Sequence, residues 1–439
     1  GEIIKGHVSL GSLRIRQDFL IAQALQAPYA NDDTSDQFAL EMALARIRQL
    51  SAHEVGHTIG LAHNFAASTK GRSSVMDYPH PTLSLKDKKV DFTNAYDTKI
   101  GDWDKVAIAY SYGEYAGDED ASLNKLLDDA FKNGARFITD QDARPQGSAH
   151  AYAHLWDNGA NVSTELDNLL AIRKHAIANF SIDNIKTNQP YSVLEDVFVP
   201  LYFFHRYQTE GVTKVIGGLD YSYALKGDGS TIVERVPGKT EKKALVSILK
   251  TLNIEELAIP KKLLNLFPPR AFNYGRTRES FKSKTGVAFD PFGAVETASS
   301  MTLGLLLHPE RVTRLVQHKS LDSSQLGLVE VLDEVIVNSF QKSNKDPYYQ
   351  ELQNIVNYQV LNHLFHLSSN KDMYWQVNAI VNDKIDKINT LLNNSKKPGI
   401  QKIYHKYMIK MISNFKKNPT KFKKPITPKI PDGSPIGNN

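Results

Sequence analysis

Three histidines and a glutamate crowd into eleven residues, HEVGHTIGLAH at positions 53–63 of a 439-residue chain. Their spacing suits holding a metal ion and activating water on it. His53 and His57 are four apart, one turn of an α-helix, so both rings leave the same face and can grip one ion. Glu54 is offset around the helix, outside that coordination set, and can take a proton from water. Gly60 can adopt the left-handed conformation that ends a helix, and the reversal brings His63 back as third ligand. Three imidazoles leave a fourth position for water, the pattern of a catalytic site, and Zn2+ is the expected ion. A helix with histidines on a half-buried face would explain an HxxxH pair, but not the added glutamate, glycine and third histidine.

The chain holds no cysteine, so imidazole and carboxylate must carry any metal site, and disulfides are excluded. Hydrophobic residues make up 41% and charged residues 23%, values of a soluble globular protein. No apolar run reaches the ~18 residues of a membrane span. The chain opens on GEIIKGHVSL, without a signal-peptide pattern, and reads as the processed or cut edge of a longer protein. Net charge is +5, and the segment Lys396–Lys429 carries eleven lysines and no acid. Binding to nucleic acid or an anionic surface is one reading of that segment. A solvated terminal helix with a Pro-rich tail is favoured, and no nucleic-acid partner is expected, because no aromatic-interleaved binding motif accompanies the lysines.

The elements that must position the motif surround it. Ile4, Gly6, Val8 and Leu10 alternate with Lys5, His7 and Ser9, which predicts a strand at the edge of a sheet. Asp32, Asp33, Thr34 and Ser35 form a polar break, and Thr34 with Gln37 makes a capping box. Phe38, Met42, Leu44, Ile47, Leu50 and Val55 recur at roughly helical spacing, so a long helix leads into the motif. Residues 64–100 read as loops, and a helical pattern resumes at Asp102. Beyond about residue 118, amphipathic helices are expected over 162–180, 193–210, 241–253, 292–307, 325–342, 347–367, 371–393 and 400–415. The predicted organisation is a zinc-binding catalytic region over 1–118, a helical domain over 119–418 and a Pro/Gly-rich tail over 419–439, either disordered or a surface arm. The fold class is mainly α, a partial α+β catalytic subdomain followed by a large α-helical domain.

Other polar groups carry weaker signals. Residues 140–160 gather Asp140, Asp142, His150, His154 and Asp157. A second metal or a cleft-lining loop is one reading, and capping with loop hydrogen bonds is the favoured one. His363 and His366 suit helix packing or the surface. KGDGS at 226–230 is too short for a calcium loop and reads as a turn.

Thirteen residues after His63, SSVMDY places Met76 and Tyr78. HExxHxxGxxH followed by SxMxY resembles the metzincin clan of zinc peptidases, with high specificity over about residues 50–80. The resemblance implies His53, His57 and His63 as zinc ligands and Glu54 as general base. It also implies that Met76 belongs to the tight turn beneath the metal. Tyr78 matches a tyrosine that astacin-like and serralysin-like members place near zinc, able to ligate the resting metal and then hydrogen-bond the reaction intermediate. The chain departs from the clan in having only 52 residues before His53, so the upper cleft wall is expected to be missing or on a preceding segment. The long helical sequence after the turn resembles a family of large, exported bacterial metzincin-like proteins, which implies a secreted, periplasmic or cell-surface location. The implied activity is zinc-dependent endopeptidase action on a protein or peptide. Alternatives are a zinc-retaining binding or scaffold module with little turnover, and a non-peptidase zinc hydrolase. The sequence does not fix an oligomeric state.

Overall fold

The computed structural model of the chain describes residues 3–30, 34–423 and 425–433. It is mainly α. The first part holds α1 (Ser12–Leu25), α2 (Gln37–Thr58), the hairpin β1 (Ser84–Lys86) and β2 (Lys89–Asp91), and α3 (Asp102–Tyr112). There follow α4 (Glu119–Lys132), the single turn α5 (Asp140–Ala143), α6 (Val162–Asn179), α7 (Leu194–Tyr202) and α8 (Arg206–Val215). A second small hairpin, β3 (Leu219–Asp220) with β4 (Glu234–Arg235), leads to α9 (Gly238–Lys250), α10 (Ile254–Leu257) and α11 (Lys261–Leu264). The rest is helical: α12 (Pro291–Leu306), α13 (Pro309–Leu321), α14 (Leu328–Val337), α15 (Pro347–Ser368), α16 (Trp375–Asn394) and α17 (Ile400–Lys417). Among the described residues, no helix is long and apolar enough to cross a membrane.

Two hydrophobic cores lie side by side. One joins α1 and α2 to α7 through Ala22, Met42, Phe198 and Tyr202, and the other fills the space between α8, α9 and the helices from α13 to α17. Three helices bind the two together. Leu169 and Ile172 of α6 enter the first core and Leu166 and Leu170 the second, and α12 divides its apolar residues between faces in the same way; α15 divides along its length, with Leu352 and Val356 in the first core and Val360 to Leu367 in the second. A helix apolar on more than one face must be buried on more than one face. The helix that carries the metal motif is therefore packed on the helical region rather than standing apart from it.

Several expectations change. Ile4–Leu10 forms no strand. It is largely exposed, with Ile4 94% accessible, and no described strand lies beside it to complete a ladder. Gly6 passes so close to the end of α2 that a Cβ there would lie 2.8 Å from Thr58 Cβ. The expected polar break includes Asp32 and Asp33, which lie outside the described residues. Thr34 does not cap α2: the N-cap is Asp36, without a side-chain cap bond, and Gln37 Nε2 reaches forward to Glu41 at 3.3 Å. Within the expected loop region, Leu85 pairs with Val90 around Asp87 and Lys88, both at positive φ (48° and 62°). Two such residues make the tight turn whose twist suits a hairpin. The helix expected over 193–210 is two helices. Phe204 N–H turns to Leu201 O and Arg206 N–H to Phe203 O, which tightens the chain and lets Tyr202, Phe203 and Phe204 all be buried. One helix cannot hide three successive side chains on one stripe.

The tail is a surface arm as far as Gly433: Arg206 Nη1 donates to Pro431 O at 2.8 Å and Asp432 N–H to Arg278 O at 3.1 Å. Before it, α17 is docked by Phe415, whose ring stacks on Phe365 with centroids 4.2 Å apart. Phe415→Ala should cost about 3 kcal/mol. Because α17 is peripheral, hydrogen exchange should report the loss as faster exchange over 400–417 with α12 protection retained. Unchanged exchange in α17 would contradict that docking role.

Candidate metal centre

Local sequence explains how α2 ends. Gly60 adopts φ +85°, its N–H donates to His57 O at 3.0 Å, and Leu61 N–H donates to Gly56 O at 3.0 Å. This pair of bonds closes a helix with a left-handed glycine. The reversal returns His63 towards His57 and turns Leu61 O back onto the His57 ring.

His53, His57 and His63 converge, with one nitrogen from each lying within 4.8 Å of the others. Each outer nitrogen meets an oxygen. His53 Nδ1 lies 2.7 Å from Val75 O, His57 Nδ1 2.9 Å from Leu61 O, and His63 Nδ1 2.8 Å from Asp140 Oδ2. Carbonyls and carboxylates only accept, so each Nδ1 carries the hydrogen and each Nε2 keeps a lone pair. His53 Nε2 is buried without a protein partner. His57 and His63 Nε2 face each other at 3.1 Å, a contact of two lone pairs that a cation would turn from repulsive to attractive. This donor set fits zinc. Burial holds His53 at about 3, so the ring is neutral at ordinary pH. Burial also lowers His63, against the pull of Asp140.

Glu54 is half-buried and His57 exposed, so the cradle opens to solvent. Tyr78 closes one side. Its hydroxyl donates to His63 Nε2 at 2.9 Å, and its ring stacks between His53 and Trp156, centroids 4.8 and 5.4 Å away. Burial raises the phenol pKa and the charges of Glu54 and Asp140 add to it, against Arg144. Met76 is 1% exposed, in the turn whose Val75 carbonyl holds His53. That turn is itself clamped by Asp104, which accepts from Ser74 Oγ at 2.5 Å and Val75 N–H at 2.8 Å.

The Asp/His cluster at 140–160 does not assemble as one group. Asp140 reaches His63, while Asp142 accepts from the Tyr221 hydroxyl and from the Tyr223 hydroxyl at 2.6 Å. His150 Nε2 bonds Tyr221 O at 2.9 Å, and His154 is buried 3.9 Å from Glu210. Among the described residues, the three motif histidines form the one metal-compatible group. His363 packs inside α15 with Nε2 3.0 Å from Ser300 Oγ, and His366 is exposed. In KGDGS, Asp228 closes the turn by accepting from Leu225 and Ser230 N–H.

Two supports, Gly56 and Asp104, gave no expectation from sequence, and Asp140 stood only as a member of the 140–160 cluster. Gly56 sits over the methionine: a Cβ there would lie 2.2 Å from Met76 Sδ. A glycine inside a helix is a visible signal of close approach. Asp104 and Asp140 gave no such signal, because their partners lie far along the chain. Beneath Tyr78, Asp77 and Asp157 are buried together near Arg46. Burial, then the charge of Asp157, pushes Asp77 well above the usual carboxylate range, and burial pushes Asp157 up to about 7.

Two tests follow from this geometry. Gly56→Ala should lower the melting temperature, by about 1–3 kcal/mol of overpacking; an increase, as for a simple helix position, would contradict the methionine contact. Asp157 keeps its proton in the folded state to higher pH than in the unfolded chain. Its contribution to stability therefore falls as pH rises from its ordinary 3.8 to about 7. Asp157→Asn should gain stability over the parent at pH 7.5 relative to pH 5 in thermal melts, and an equal difference at both pH values would refute it.

A family model described as Met-zincin matches residues 35–347. No curated protein and no solved structure matches the chain.

Proposed function

The chain belongs to the Met-zincin family, and we propose that it is a zinc-dependent endopeptidase acting on protein or peptide substrates in a secreted, periplasmic or cell-surface setting. One observation carries the reading: three imidazoles, each backed at Nδ1 by an oxygen acceptor, turn their Nε2 atoms into one solvent-reached space. His53, His57 and His63 would hold the ion through those nitrogens. Bound zinc would supply a Lewis acid, bringing the pKa of water toward ~7 and polarising the scissile carbonyl.

The chain's own groups do the rest. Glu54, next to His53 on α2 and open to the cleft, takes the proton of the attacking water and passes it to the leaving amine nitrogen. Tyr78 keeps its phenolic proton, because burial and the nearby Glu54 charge raise its pKa. Its hydroxyl therefore donates a hydrogen bond to the carbonyl oxygen as negative charge develops there. Stacking on both faces, by His53 and Trp156, fixes the ring and limits motion to its hydroxyl end. Met76 and Gly56 set the floor on which the two helix histidines rest.

Purified protein should take up one equivalent of zinc. Glu54→Ala should retain the metal yet lose on the order of 10²–10⁴-fold in cleavage of an unstructured protein. Equal residual cleavage by Glu54→Ala and the parent would sink the peptidase reading and leave a zinc-binding module.

A further inference from the structure

We propose that Asp140, clamped by Arg144, is the positioning residue for His63, so that the helical part of the chain completes the metal centre. The inference rests on the zinc reading of the three histidines.

His53 and His57 are oriented by their helix and lean on neutral carbonyls. His63 stands beyond the helix end, on the loop after Gly60, and has no such frame. Its ring is held instead by a charge. Asp140 Oδ2 accepts from His63 Nδ1 at 2.8 Å and from Thr139 Oγ1 at 3.2 Å, and Arg144 Nε, one turn on, holds Oδ1. A carboxylate on the outer nitrogen of a metal-binding histidine fixes the tautomer, aims the ring and raises the basicity of the inner nitrogen. Arg144 in turn lies over the rings of Phe65 and Tyr78, 5.7 and 5.9 Å from their centroids, which limits where the clamp can swing.

The mounting of Asp140 extends the argument. It lies 77 residues after His63, on α5, a turn too short to hold itself. Asp142 pins that turn to Tyr221 and Tyr223, and Tyr223 also accepts from Thr139 N–H at 3.2 Å. From α8, buried Lys214 donates to Ala143 O and, at 3.1 Å, to Ala153 O. The β3–β4 hairpin and α8 therefore set the position of a carboxylate that sets the position of a metal-binding ring.

The test is competitive zinc titration of the full chain against a chelator, with the visible absorption of the Co2+-loaded protein as second readout. Asp140→Ala should weaken zinc binding about 10–100-fold and shift the Co2+ bands. Asp140→Asn, which keeps an acceptor but no charge, should fall between it and the parent. In a His63→Ala background, Asp140→Ala should change neither readout, because its effect passes through that ring. Equal affinity of Asp140→Ala and the parent would overturn the inference while leaving the zinc reading intact. So would the same loss in the His63→Ala background, which would mark a general disturbance of the fold. No zinc uptake by the parent would overturn both.

Discussion

The direction of three imidazole lone pairs is the constraint on which the site depends. A histidine can present either nitrogen, and burial alone does not choose between them. Here the choice is made by three oxygen acceptors of different origin: Val75 O from the methionine turn, Leu61 O from the helix end, and the Asp140 carboxylate from the helical region. Each acceptor has its own support. Asp104 holds the methionine turn, Gly60 makes the reversal that presents Leu61 O, and Arg144 holds Asp140. The direction of the three rings is thus a property of backbone geometry as much as of the histidines themselves.

Near the cradle lie several buried ionisable groups. Arg46 stacks over Trp156 and Tyr96 at 5.1 and 5.5 Å, above the Asp77–Asp157 pair, and Lys214 is lowered by burial to about 8. Removing such groups from water costs energy that good hydrogen bonding only partly offsets. Their placement is consistent with a role in geometry: Trp156, which Arg46 supports, is the platform against which Tyr78 stacks.

What could be read from the sequence divides along the length of chain that each contact spans. The histidine cluster was legible because one helix turn and one glycine reversal place His53, His57 and His63 within eleven residues. Most helices of the second half were legible from apolar spacing, and α6, α12 and α15 appear nearly where expected. That each of them serves both cores was not, because periodicity marks an apolar face without naming what covers it. Ile4–Leu10 failed for the same reason: alternation signals two faces, and a strand also needs a neighbour. Asp140 was visible only as one acid in a polar loop, since its contact with His63 closes across 77 residues. The pattern of the motif thus disclosed which histidines converge, and only the fold disclosed which nitrogens face inward and what orients them.

X-ray absorption at the zinc edge on the metal-loaded protein tests the central claim most directly. Three imidazole nitrogens and one oxygen donor at about 2.0–2.1 Å are predicted. A shell with fewer than three imidazoles, or one dominated by carboxylate oxygen, would contradict it.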